Sequence, residues 1–333
     1  MMHIFALRPS SLILLVFLGA GLLAPHYVYP GFLMNLLCFA LFASAYNLLV
    51  GYVGLLAFGH AVFFGGASYA TGYMLRDLGL TPEVSILIGV IFAAALGLVM
   101  GVTSIRRRGI YFSMITLALA QMFYFLCAQS SVTGGENGLT AIPRSPLFGI
   151  FDISNELTLY YLILAVVAAA MFVIYRTVHS PFGHVLKGIR DNENRMISLG
   201  YDVDRFKVIA FTLSAALAGL AGSLKAIALQ LVTLVDVHWS TSGEVILMAL
   251  IGGIGTAVGP IIGAGVILTL QNYLTGFAEW VITIQGAIFF LTVLLFRRGI
   301  AGEVERLFRM RQARSASSQK DFTTSVVESG RST

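Results

Sequence analysis

Charged residues are scarce in this sequence. Only 11% of its 333 residues are charged, against about 25% in an average soluble domain. A further 57% are hydrophobic, and they form apolar runs long enough to cross a hydrocarbon core of about 30 Å as helices. This composition excludes a soluble enzyme. Because stretches such as 160–174 are apolar without alternation, a transmembrane barrel is disfavoured, and we predict an all-α, polytopic helical membrane protein.

Residues that carry redox or hydrolytic chemistry are also scarce. The two cysteines, Cys38 and Cys127, lie in separate apolar segments, so neither a disulfide framework nor a thiolate metal site is expected. We find no His-rich cluster, P-loop or Ser-His-Asp signature, and Gly253-x-Gly255 lacks the third glycine of a dinucleotide-binding fingerprint. We therefore predict a non-catalytic chain without cofactor or metal, which does not hydrolyse ATP itself.

The basic residues are concentrated in three short stretches. Of the 21 Lys and Arg, three lie at Arg106 to Arg108, six between Arg176 and Lys207, and eight from Arg297 onward. Basic residues in short loops stay on the cytoplasmic side during insertion. The loop 176–207 and the tail 299–333 are therefore predicted to be cytoplasmic.

The apolar segments between these stretches are predicted to cross the membrane alternately. They lie at about 11–29, 31–50, 55–75, 84–103, 110–128, 159–175, 208–235, 243–272 and 281–296. Their order places the loop 129–158 outside. The first segment is predicted to remain as an uncleaved helix, because no small-x-small cleavage site follows it; a secretory signal peptide is the alternative.

The basic tail returns to the cytoplasm only if 243–272 crosses the membrane twice. The glycine cluster at 252–260, with Pro260, predicts a break there into two short helices, because glycine and proline weaken helix continuity. Broken helices at membrane depth are tolerated where they line a cavity or are buried, and they often mark a transport path. The permease domain 1–298 would then contain about nine to ten helical passages or half-passages, with both termini cytoplasmic.

Residues 47–73 combine six glycines with Asn47 and His60. Small residues allow close helix packing in lipid, and Ala61-x-x-x-Gly65 has the required spacing. The alternative is a polar-lined path, since polar side chains within a membrane usually face the interior of a bundle or a cavity. The two interpretations remain open from the sequence alone.

Residues 240–265 form a second glycine-rich span. Thr241-x-x-Glu244 has the form of a capping box and predicts a helix start near Ser242. Glu244 is then either a cap or a direct contact to substrate. Gly255, Gly259 and Gly263 are spaced by four and would form one packing stripe on a continuous helix.

Residues 184–199 of the basic loop are predicted to form one amphipathic helix that ends at Gly200. Its apolar side would be formed by Val185, Ile189, Asn192, Met196 and Leu199. Such a helix either lies on the membrane surface or docks into a groove on a cytoplasmic partner. The outer loop contains glycine-rich turns at 130–143 and is either a contact for an outer partner or an ordered lid.

Four segments together resemble a known family, from about residue 30 to residue 296. They read GYVGLLAFGHAVFFGGASY, TGGENGLTAIP, FGHVLKGIRDNENRMISLGYDVDRFKVIAFTLSAALAGLAG and EVILMALIGGIGTAVGPIIGA. The chain is similar to LivM-like permease subunits of ABC importers for branched-chain amino acids. The resemblance implies a fold like that of vitamin-B12-type importer permeases, a bacterial inner-membrane location, and three kinds of partner: a second related permease, two cytoplasmic ATP-binding subunits and a periplasmic substrate-binding protein.

The resemblance also implies roles for particular residues. Those implied for the translocation path are Asn47, Gly51, Gly54, His60, Glu244, Gly252, Gly253 and Gly255. Those implied for coupling to the ATPase are Gly183, Val185, Ile189, Arg190, Glu193, Met196 and Gly200.

Two features depart from the family pattern. Lys225 stands where the family usually has an uncharged residue, and we predict that it lies toward the outer end of its helix and snorkels to the surface. The tail is longer than the pattern requires, and 315–333 has the composition of a disordered segment.

The predicted function is therefore ATP-driven import of a small amino acid delivered by a binding protein. An ion-gradient-driven transporter is the main alternative, with Glu244 as its intramembrane acidic site. A permease of the same group for urea or amides is another. A membrane enzyme is disfavoured by the lack of a catalytic cluster.

Overall fold

The computed structural model describes residue 19, residues 21–107, 109–146 and 154–274, and residues 283, 284, 286, 287, 290 and 299. This part of the chain contains ten α-helices and one short two-stranded ladder. The helices are α1 (Pro30–Tyr52), α2 (Ala61–Arg76), α3 (Pro82–Ser104), α4 (Ile110–Gln129), α5 (Glu156–Val178), α6 (Pro181–Asp191), α7 (Glu193–Ser198), α8 (Val203–Leu229), α9 (Trp239–Gly252) and α10 (Gly259–Tyr273). The strands are β1 (Leu139–Thr140) and β2 (Leu231–Val232), which pair antiparallel.

Local sequence accounts for most helix starts. Proline occupies the first turn of α1, α3, α6 and α10, where its fixed φ suits a helix and its missing N–H costs nothing. The side chains of Asn155, Ser180, Asn192 and Asp202 cap α5, α6, α7 and α8 by accepting backbone N–H bonds.

Helix α8 lies at the centre of the bundle and packs against α1, α2 and α3. Small residues make this packing close: an added Cβ at Gly97 would lie 2.3 Å from the Ala215 Cβ, and one at Gly219 would lie 2.3 Å from the Ala93 Cβ. In lipid, where apolar burial drives little association between helices, such backbone approach supplies the packing energy.

The bundle has an inner end and an outer end. The inner end carries the basic loop, because Arg190 of α6 contacts Gly51 near the end of α1. The outer end carries residues 130–146, whose strand β1 pairs with β2 directly after α8. Gly134, Gly135 and Gly138 there have positive φ angles, so the predicted glycine turns of this loop are present. The assignment of the inner end to the cytoplasm stays a prediction.

Three connections within the bundle contain no α-helix. Residues 53–60 join α1 to α2, residues 253–258 join α9 to α10, and residues 230–238 join α8 to α9. We call 253–258 the break and 230–238 the descending segment. The descending segment runs along α2: an added Cβ at Gly72 would meet Val232, one at Gly65 would meet Asp236, and Ser242 bonds Ala61 at the start of α2.

The predicted fold class is confirmed. Five described helices are long and apolar enough to cross a membrane, namely α1, α3, α4, α5 and α8. The predicted split of 243–272 is also present, since α9 ends at Gly252 and α10 begins at Gly259. The predicted crossing at 281–296 and the tail 299–333 lie outside the described residues, apart from the single positions given above. Residues 11–18 and 20 of the first predicted segment lie outside them too.

Three predicted boundaries were wrong. Segment 55–75 is a turn followed by the 16-residue helix α2, because Gly54 in a left-handed conformation ends α1. Segment 208–235 ends as a helix at Leu229, because Gln230 adopts a left-handed conformation. Helix α9 starts at Trp239, with the His238 side chain as its cap, so the predicted Thr241–Glu244 capping box does not form.

Candidate functional site

The break is held by the side chain of Asn47 on α1. Asn47 Nδ2 donates to the Thr256 carbonyl at 2.9 Å, and Asn47 Oδ1 accepts from the Gly255 N–H at 2.8 Å. One amide therefore satisfies a donor and an acceptor that the interrupted helix leaves without helical partners. The Thr256 hydroxyl completes the turn by donating to the Gly253 carbonyl and accepting from the Gly259 N–H.

Glycines let the backbones meet at this point. A Cβ at Gly51 would lie 2.6 Å from the Gly255 nitrogen, and a Cβ at Gly252 would lie 1.8 Å from the Gly259 carbonyl oxygen. Gly253 and Gly255 have φ angles of 117° and 78°, which side-chain-bearing residues rarely adopt. The structure thus brings together six of the eight predicted path residues: Asn47, Gly51, Gly54, Gly252, Gly253 and Gly255.

Arg190 connects the basic loop to the same point. Its guanidinium donates to the Gly51 carbonyl at 2.5 Å, and its Cγ would lie 3.1 Å from a Cβ at Gly54. We call the set formed by Asn47, Gly51, Arg190 and the break the inner junction. Residues predicted separately for the path and for coupling are here in direct contact.

The loop contains two helices, whereas one helix over 184–199 was predicted. Asn192 has extended backbone angles and ends α6 while capping α7, so the 100° periodicity does not continue through it. An asparagine side chain that bonds the following backbone favours such a cap over a helix interior. Gly200, with a φ of +87°, follows α7 as the predicted terminator.

Most residues predicted for coupling face their own chain. Gly183 closes the turn from α5, where a Cβ would lie 2.3 Å from the Val178 carbonyl oxygen. Ile189 is only 3% exposed, and Met196 packs against Gly188. Glu193 forms an ion pair with Lys207 at 2.8 Å. Val185 is partly buried against the core.

The apolar residues that the loop does expose lie farther along it. Ile197 is 48% and Leu199 64% exposed, and Tyr201 is also exposed. This patch, Ile197, Leu199 and Tyr201, was not predicted. Only Leu199 belonged to the predicted stripe, because that stripe assumed a single continuous helix.

His60 lies in the packed interior. It is fully buried, its Nε2 lies 2.8 Å from Ser214 Oγ, and that hydroxyl donates to the Ala45 carbonyl. The rings of Phe42, Tyr46, Phe63 and Phe211 surround it. This environment favours the packing interpretation over a position on an open path.

Glu244 lies on α9 about two turns before the helix ends at the break, and it hydrogen-bonds Gln271 of α10. It is partly exposed, and the adjacent Gly243 has open space around it. Glu244 is therefore a bridge between the two half-helices and is separate from the inner junction. A direct contact of Glu244 with substrate stays a prediction.

Several contact residues at these sites were missed from the sequence. Ser242 accepts the Ala61 N–H at the start of α2, Thr256 closes the break, and Ser214 bonds His60. The four-residue spacing of Gly89, Ala93 and Gly97 on α3 was a usable signal for the close contact with α8. The serine and threonine contacts join residues far apart in the chain, so local pattern carries no signal for them.

The described residues contain no group of three or more His, Cys, Asp and Glu side chains that could hold a metal ion. Membrane-length helices surround a broken helix pair, and the basic loop bonds α1 beside the break. This arrangement is typical of a multi-pass membrane permease.

The protein family described as "Branched-chain amino acid transport system / permease component" matches residues 30–296 of this chain. The chain therefore belongs to this permease family, and the LivM-like resemblance is confirmed.

Individual relatives agree with this assignment. The high-affinity branched-chain amino acid transport system permease protein LivM of Escherichia coli is 28% identical over 76% of this chain and 65% of its own length. The LivH permease of the same system and organism is 24% identical over 81% of this chain and 93% of its own length. The tyrosine transport system permease protein of Clostridioides difficile is 26% identical over 44% of this chain and 47% of its own.

The match thus spans slightly less than two thirds of the length of the first of these relatives. No solved structure matches the chain. The predicted likeness to vitamin-B12-type importer permeases accordingly stays a prediction.

Proposed function

We propose that this chain is one permease subunit of an ATP-driven importer that moves branched-chain or related small amino acids inward across a bacterial inner membrane. The observation that carries the proposal is the inner junction. Arg190 of the basic loop bonds the Gly51 carbonyl, and Asn47, one turn earlier on α1, holds the break. A force applied to the loop therefore reaches the broken helix through two hydrogen-bonded steps.

The partners follow from the family. A second related permease would complete the path, two cytoplasmic subunits would bind and hydrolyse ATP, and a periplasmic protein would deliver substrate. The similarity to both LivM and LivH, which are named as permeases of one transport system, supports pairing of two related permeases. In this proposal ATP hydrolysis belongs to the partners, and this chain performs no covalent chemistry.

ATP binding would act on the short helices α6 and α7. Their buried face, which includes Ile189, packs on the bundle, while the patch Ile197, Leu199 and Tyr201 faces outward. Exposed apolar residues grouped beside charged ones are suited to a groove on a partner. Movement of the pair would displace Arg190 and shift the break between two arrangements that differ in substrate affinity.

A comparison of two variants tests which face of the loop docks on the partner. Ile197→Asp with Leu199→Asp should leave the thermal midpoint of the purified permease near wild type and abolish co-purification of the ATP-binding subunits. Ile189→Asp should lower the midpoint itself, because it places a carboxylate in a buried site. Normal recovery of ATPase with the double variant would contradict the proposed docking face.

Transport measurements separate the alternatives. Leucine uptake by proteoliposomes containing the assembled transporter should require ATP and should be unaffected by sodium or proton gradients. Uptake driven by a gradient without ATP would instead favour the secondary transporter, with Glu244 as its ion site. Because one relative is named for tyrosine, uptake of tyrosine, urea and acetamide belongs in the same assay to assign the substrate class.

A further inference from the structure

The descending segment is attached to the bundle by a buried ion pair. Lys225 of α8 is 9% exposed and Asp236 of the segment is 4% exposed, and the Lys225 ammonium contacts the Asp236 carboxylate. The predicted snorkelling of Lys225 to the surface is therefore wrong for this structure. Its ammonium is directed inward because a carboxylate is available there.

Four elements meet at this pair. The Lys225 ammonium lies 5.7 Å and 5.6 Å from the ring centroids of Phe39 on α1 and Phe64 on α2, which is within cation–π range. Asp236 Oδ2 accepts from both the backbone N–H and the hydroxyl of Thr233. The pair thus joins α8, α1 and α2 to the segment that leads directly into α9.

The backbone around Asp236 is pressed against α2. A Cβ at Gly65 would lie 2.7 Å from the Asp236 carbonyl, and three residues after His238 the Thr241 hydroxyl bonds back to the Val235 carbonyl. Asp236 cannot shift without moving the start of α9. The charge pair therefore fixes the outer end of the same helix whose inner end is held by Asn47.

Lys225 has a second position within its reach. It lies one helical turn before α8 ends at Leu229, and a four-carbon stem can carry its ammonium toward water at the outer end. Val235, the immediate neighbour of Asp236, is already exposed. When the outer end of the bundle is closed, Lys225 and Asp236 pair in a site without water. When water enters this end, each side chain can be hydrated separately.

We propose that Lys225 and Asp236 form a switchable lock that positions the descending segment and α9, closed in this structure and opened during the transport cycle. It rests on the proposed function only in that the chain must alternate between two states. A static strut of the same residues would stabilise one state and leave the cycle unaffected. A switchable lock and a static strut therefore predict different behaviour for a variant in which both Lys225 and Asp236 are replaced by uncharged residues.

The first measurement needs no transport. In a background with Cys38→Ala and Cys127→Ala, spin labels at the exposed positions Val235→Cys and Leu78→Cys report the distance between the descending segment and the α2–α3 turn in nanodiscs. Lys225→Met should broaden and lengthen the distance distribution, because Asp236 loses its partner and moves toward water. Lys225→Arg should preserve the narrow distribution. A wild-type distribution in Lys225→Met would overturn the proposal.

The second measurement distinguishes a lock from a strut. The double variant Lys225→Met with Asp236→Asn contains no buried charge, so its thermal midpoint should equal or exceed that of the wild type. Its maximal leucine uptake should nevertheless fall about fivefold or more, the lower range of typical coupling effects, because hydration no longer favours the open arrangement. Wild-type uptake by this stable variant would overturn the lock. If the wild-type transporter takes up neither leucine nor another amino acid in the presence of ATP, the proposed function fails, and the spin-label distances still show whether the pair holds the descending segment.

Discussion

The two ends of α9 are attached to the bundle by different chemistry. At the inner end, the neutral Asn47 amide bonds two backbone groups of the break. At the outer end, the ion pair of Lys225 and Asp236 holds the descending segment. Both attachments are made by buried side chains of the same chain, but one is a neutral hydrogen bond and the other is an ion pair.

The Asn47 hydrogen bonds and the Lys225–Asp236 ion pair differ in how much free energy is lost when one partner is removed. A neutral hydrogen bond contributes about 0.5–1.5 kcal/mol net and can be exchanged for a water or another donor in small steps. Removing one partner of a buried ion pair costs about 3–5 kcal/mol because a charge is left uncompensated. The inner end is therefore suited to graded displacement by the loop, whereas the outer end is either closed or open.

Helices α9 and α10 pack against each other at Gly252, and disrupting this contact should have the largest effect on stability. Gly252→Ala places a Cβ 1.8 Å from the Gly259 carbonyl oxygen, and such overpacking costs about 1–3 kcal/mol or more. The thermal midpoint in detergent should fall clearly. Gly243→Ala on the same helix is the control, since nothing lies within 4 Å of its Cβ. Equal midpoints for the two variants would show that the half-helices can separate freely.

Removing the neutral attachment should have the next largest effect. Asn47→Ala leaves the Gly255 N–H and the Thr256 carbonyl without this partner, at a cost of about 1–3 kcal/mol. Amide hydrogen exchange should accelerate at residues 253–258 and remain unchanged at 230–238. Ser44→Ala is the matched control, because its hydroxyl bonds only within α1, to the Ala40 carbonyl. Acceleration spread equally over both segments would mean that the two ends are not independent.

Substitution of Arg190 tests whether the basic loop acts on the inner end of α9 alone. Its side chain is 41% exposed, so Arg190→Gln should lower stability by less than about 1 kcal/mol. Leucine uptake by the assembled transporter should fall about fivefold, because the loop loses its contact with the Gly51 carbonyl. Arg195→Gln on the exposed side of α7 serves as the charge-matched control. A loss of uptake with Arg195→Gln that equals the loss with Arg190→Gln would assign the effect to loop charge and not to the junction.

The break and the outer turns could be predicted because their signals are local. Glycine and proline interrupt a helix by backbone conformation and a missing N–H, so the cluster at 252–260 predicted the end of α9 and the start of α10. The topology that the charge distribution predicts stays a prediction. These signals depend on residues adjacent in sequence.

Local sequence does not predict which side of the loop helices is buried, and it does not predict the Lys225–Asp236 ion pair. Periodicity identified an apolar stripe with Ile189 but does not tell whether it packs on its own bundle or on a partner. Asn192 also shifts the register by ending α6. Asp236 lay at the end of a predicted crossing, and its pairing with Lys225 depends on a left-handed turn at Gln230 that redirects the chain.

The smallest effect on leucine uptake should come from Gly54, where backbone strain and contact with Arg190 can be separated. Gly54 has a φ of +81°, and its added Cβ would lie 3.1 Å from the flexible Arg190 Cγ. Gly54→Ala should therefore cost about 1 kcal/mol for the left-handed conformation plus a small shift of Arg190. Gly79→Ala, at a φ of +61° with open space around it, carries the strain alone. If the two thermal midpoints agree while only Gly54→Ala slows leucine uptake, the contact with Arg190 transmits motion at the inner end without contributing to stability; equal uptake by both variants would remove Gly54 from the inner junction.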